Sequence, residues 1–157
     1  ILTLISLVIF QIIKRLNVDP TTSSGNGNPA LFIGVVLVPI FIFMVLLWVR
    51  VLRVHLVQVR VSIIGLLVIL THLIISFVYQ SNALLNYREF VTSELIKKNG
   101  SVDIQYVESI TSVFGIHVNN QFFNLNTFFM FITFSIFISI AYYLWDLFEE
   151  KNEGKNN

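Results

Sequence analysis

The side chains able to do chemistry are few and scattered. His55, His72 and His117 fall in three separate regions, without the His-x3-His or HExxH spacing that brings two imidazoles onto one metal. The chain has no cysteine, so it carries neither a thiolate nucleophile nor a Cys-based metal site. Glu89, Glu94, Asp103 and Glu108 lie on amphipathic stretches and read as solvated faces. There is no G-x-S-x-G and no glycine-rich phosphate loop. No cofactor, metal or catalytic residue is therefore expected, and a lipid-modifying enzyme built on His117 or a loop carboxylate ranks last among the readings. His72, beside Thr71 in mid-stretch of an apolar run, needs an account, because an ionisable group at that depth is costly. It either relays protons or binds a ligand, or its neutral ring hydrogen-bonds to a neighbouring helix for ~0.6–2 kcal/mol. Proton paths use buried carboxylates, and the apolar runs at 31–49, 61–79 and 127–144 contain no Asp or Glu. The hydrogen-bonding reading is favoured.

The elements that hold these residues follow from composition. Of 157 residues, 55% are hydrophobic and 12% charged, about half the charge of a soluble domain. Disorder, a coiled coil and nucleic-acid binding are excluded on that ground, and a net charge of +1 gives no field to steer an acidic partner. The expected fold is all-α, a polytopic membrane bundle in a single domain. A span needs ~20 apolar residues, and four are expected, at about 1–16, 31–49, 61–79 and 127–146. The first is short, with Lys14 and Arg15 snorkelling. Residues 17–30 (NVDPTTSSGNGNPA) are a loop. Pro39, near the centre of the second span, predicts a kink or hinge. Gly65 and the pair Ser135 and Ser139 are small residues that let helices approach. Between the second and third spans, Arg50, Arg53 and Arg60 would share one helical face and either grip anionic headgroups or fix topology.

Residues 80–125 are expected outside the membrane as two short helices. The first would be capped by Asn82, carry an apolar stripe of Leu84, Tyr87, Val91 and Leu95, and stop at Asn99-Gly100. The second would be capped by Ser101, bury Ile104, Val107, Ile110 or Thr111, and Phe114, and end at Gly115. Phe90, Ile116, Phe122 and Phe123 find no place in so small a segment and are candidates for contact with a partner. Asn126 is expected to cap the last span, and the tail 149–157 to be disordered. Lys and Arg close to span ends favour an orientation with both termini and the Arg loop in the cytoplasm.

The 157-residue length, four apolar segments, absence of cysteine, Lys/Glu/Asn tail and the stretch from Leu95 (LIKKNGSVDIQYVESITSVFGIHVNNQFF and onward) resemble the four-span membrane accessory proteins of the staphylococcal Sae two-component system. The resemblance implies an auxiliary protein that acts with a lipoprotein partner on a sensor histidine kinase and favours its phosphatase activity. It carries no catalytic residue. The leading expectation is thus a non-enzymatic interaction protein that binds the bilayer and other membrane proteins. The alternative is a small transporter or channel subunit with His72 and Pro39 lining a path.

Overall fold

The computed structural model describes residues 1–16, 30–112 and 119–153. Every regular element among them is an α-helix: α1 (Leu2–Arg15), α2 (Ala30–Val35), α3 (Leu37–Val54), α4 (Val59–Asn99), α5 (Ile104–Ile110), α6 (Asn119–Phe122) and α7 (Leu125–Glu153). Three rods are long and apolar enough to cross a membrane: α2 with α3, then α4, then α7. Four were expected. The fourth, α1, has 14 residues and covers about 21 Å, against about 30 Å of hydrocarbon. Large apolar side chains such as Phe43, Leu67, Ile75 and Phe77 point outward. Water would penalise that surface, and lipid tails accept it.

Among the three rods α7 is the central one. A third of its most apolar window (33%) is buried, against 17% for α2–α3 and 11% for α4. It packs along α3 on one side and α4 on the other, while α3 and α4 hardly touch. Small residues set both contacts. Ser135 and Ser139 are fully buried, and Ser139 Oγ lies 3.1 Å from the Val45 carbonyl of α3. On the other side Gly65 faces Ile140, and a Cβ placed on it would meet the tip of that side chain at an ordinary contact distance of 3.5 Å. These small faces hold the chain's own helices together.

The break between α2 and α3 falls at Val36, three residues before Pro39. Pro39 has no N–H for the Val35 carbonyl, and its ring crowds that carbonyl. The chain yields there, Val36 N–H bonding back to Ile33 O at 3.1 Å. Pro39 thus sits in the first turn of α3 instead of in mid-helix, where a missing N–H costs nothing. Near this break Phe10 of α1 meets Phe123, Phe128 and Phe131 with ring centroids 5.4, 5.6 and 5.7 Å apart. Together with Ile13, Ala30 and Leu37 these rings form the main core cluster.

Beyond the apolar part α4 does not stop. Asn82 starts no new helix, because α4 is a single run of 41 residues. Nothing between Tyr79 and Asn82 breaks helical geometry, so the span and the first external helix fuse. Gly100, at φ 77°, ends it in the left-handed conformation that glycine adopts freely. The next cap is Asp103, not Ser101: its carboxylate accepts from Gln105 N–H at 2.8 Å. Helix α5 folds back so that Val107 packs on Val91 and Leu95, flanked by Tyr87 and Ile110. Ile104, expected inside, is 69% exposed. Asn124, not Asn126, caps α7: it accepts from Thr127 N–H at 3.1 Å, and Thr127 Oγ1 accepts from Asn124 N–H at 3.0 Å. This reciprocal pair is a capping box. Helix α7 also runs on through residues 149–153, which the expected tail included, because Glu and Lys are good helix formers. Of the loop expected at 17–30, Ala30 begins α2; residues 17–29, Phe114, Gly115, Ile116 and His117, and positions 154–157 lie outside the described residues.

Candidate functional site

Two adjoining features occupy the junction of α1, α4 and α7. The first is a polar seam between α4 and α7. At its deep end Thr133 Oγ1 donates to Phe129 O at 2.8 Å and lies 3.3 Å from His72 Nδ1. With its only proton so used, Thr133 accepts from Nδ1–H. His72 Nε2 is then the acceptor facing Ser76 Oγ at 3.2 Å. In that arrangement both ring nitrogens have a partner, one of them across the helix interface. One turn further, Asn126 Nδ2 donates to Ser76 O at 3.0 Å and to Gln80 Oε1 at 3.2 Å. Asn124 Nδ2 donates to Gln80 Oε1 at 3.1 Å and to Gln121 O at 2.9 Å, and Gln80 Nε2 donates to Gln121 O. The seam thus runs from mid-span to the polar end of α7 and ties α6 to α4. Among its members the sequence singled out His72 for its chemistry and Asn126 only as a cap. Gln80 and Asn124 were missed, since an amide near a helix end reads as a boundary residue until its partner on another helix is known.

The second feature is a groove. Because α3 and α4 pack on different sides of α7 and hardly touch each other, they leave an apolar trough of about 810 Å³. Val38 and Phe41 form one wall, Ile74 and Phe77 the other, Met130 and Phe134 the floor, and Phe10 and Phe123 line one end. Above that end lies a cavity of about 610 Å³ lined by Lys14, Tyr79, Gln80, Asn124 and Asn126, among others.

The remaining expected residues are dispersed. Pro39 is exposed on the lipid side of α3, lines neither space and does not share a path with His72. Arg50 and Arg53 stand at the end of α3 and Arg60 at the start of α4, so the turn between the helices prevents the single basic face expected for one helix. Arg53 instead pairs with Asp146 of α7 at 2.6 Å, its guanidinium 5.8 Å from the Tyr142 ring centre, and Tyr143 Oη donates to Val57 O at 3.0 Å. Phe123 is engaged in the core, Phe122 is half-buried, and Phe90 remains 55% exposed. Among the described residues no three His, Asp or Glu side chains gather around a point. No family model, curated protein or solved structure matches the chain.

Proposed function

We propose that this chain is a non-enzymatic accessory protein of a bacterial cytoplasmic membrane that works by contact with other membrane proteins. The Arg loop and the end of α7 face the cytoplasm, and the projecting half of α4 with α5 faces outward, because Arg50, Arg53 and Arg60 stand beside span ends while Lys97 and Lys98 are remote from them. The observation that carries the reading is this projection. From Gln80 to Asn99 α4 rises about 30 Å beyond the apolar part, and among the described residues α6 meets its base and the seven-residue α5 covers one face of the rest. Leu85, Phe90 and Ile96 on α4, and Ile104 and Tyr106 on α5, stay exposed. Apolar side chains held out of the lipid on a rigid arm suit a protein partner. His72 fits the same reading, since both its nitrogens are used in holding α4 to α7.

By the resemblance, the partner is a sensor histidine kinase joined by a lipoprotein, and the effect is a gain in phosphatase activity. The test is reconstitution of such a kinase in vesicles with and without the chain and the lipoprotein, following loss of phosphate from the response regulator. Faster loss that disappears when Phe90 and Ile96 are changed to Ser supports the proposal. An unchanged rate with all components present removes the kinase assignment.

A further inference from the structure

The geometry points to a binding site for one anionic phospholipid, its chains in the apolar groove and its headgroup phosphate in the polar cavity. The two spaces lie end to end, and three elements show it independently. On α1, Phe10 lines the groove and Lys14, one turn on, lines the cavity. On α4, Phe77 lines the groove and Gln80 the cavity. On α7, Thr127 lines the groove and Asn124 the cavity. Residues three or four apart stack on one face of a helix, so each wall passes from apolar to polar within a single turn.

That change fits the two ends of an amphiphile. The groove is all but free of polar lining atoms, opens sideways between α3 and α4, and at about 810 Å³ lies within the usual range for ligand sites. Hydrocarbon can fill such a trough, whereas water there would find no hydrogen-bond partners. The cavity presents the Lys14 ammonium, which no carboxylate among the described residues engages, beside side-chain amides and the Tyr79 ring. Tyr favours the headgroup level. A lysine there selects a net negative headgroup over a zwitterionic one. The site touches only the base of the projecting arm, from Gln80 to Tyr87, and none of the exposed apolar residues on which the kinase proposal rests, so the two are tested separately.

The full chain, purified in mild detergent and exchanged into an equal mixture of phosphatidylglycerol and phosphatidylcholine, is examined by native mass spectrometry. The wild type is expected to retain one phosphatidylglycerol per chain, favoured about fivefold over phosphatidylcholine, the factor one lysine contributes near a charged surface. Lys14→Gln, at an exposed position where folding is not at stake, should abolish the preference while the chain still retains lipid. Lys14→Arg should restore it. Ile74→Trp, which projects a bulkier ring into the trough, should lower retention of both lipids. Equal retention of the two lipids by the wild type overturns the proposal. So does an unchanged preference in Lys14→Gln, full retention in Ile74→Trp, or a lipid-free dimer whose groove is filled by a second copy.

Discussion

His72 shows how a single polar residue in an apolar helix finds partners for its ring. Its contacts to Ser76 and Thr133, at 3.2 and 3.3 Å, are long for strong hydrogen bonds, and comparable interhelical pairs are worth about 0.6 kcal/mol. We expect His72→Leu and Thr133→Val each to lower stability in detergent modestly, with a coupling of roughly 0.6 kcal/mol in the double-mutant cycle. Additive effects would mean that the pair does not interact. Leu56 carries strain of another kind. It stands at φ 46° in the turn after α3, in left-handed backbone that costs an L-residue about 1–2 kcal/mol, and its side chain is 81% exposed. Leu56→Gly should therefore raise the thermal midpoint, unless the leucine is held in the membrane surface, in which case the midpoint in vesicles falls while that in detergent rises.

Helix α4 is the element on which the external architecture rests. Spin labels at Gln58→Cys and Asn99→Cys should lie about 62 Å apart along an unbroken rod, and a bend near Asn82 would shorten that distance by many ångströms. The absence of native cysteine makes the pair unambiguous. Hydropathy located the apolar rods from composition alone, and the stripe Tyr87, Val91, Leu95 was visible at helical spacing because α5 buries that face. Continuity of α4 was not visible. A polar Gln80-Ser81-Asn82 run marks the edge of the bilayer and a helix start equally well, and only the bonds of Gln80 to α6 and α7 distinguish them. The same ambiguity displaced two caps: Ser101 and Asn126 are capping types, but the residue whose carboxylate or amide reaches the right N–H lies two positions away in each case. The phosphate cavity was illegible for a related reason, since Lys14, Gln80 and Asn124 are far apart in sequence and meet only when α1 docks on the aromatic cluster.

At the scale of the whole molecule, three rods are long and apolar enough to cross, and three crossings would put Ala30 and Asn152 at opposite faces of the bilayer. With the orientation proposed above, a cysteine at Ser101 should react with an impermeant maleimide on intact cells and one at Gln58 should not. The opposite pattern inverts the protein. The arrangement of the rods has a further consequence, which concerns time. A ribosome makes α3 and α4 before α7, yet α3 and α4 have almost no surface in common. Until α7 arrives, Arg53 lacks Asp146, Val57 lacks Tyr143, and His72 lacks Thr133. The early hairpin is thus a pair of rods waiting side by side in the bilayer, joined only by a turn. Its assembly is deferred until α7 is made, and a chain cut short before α7 would present the cell's membrane proteases with two rods that hardly touch instead of a bundle.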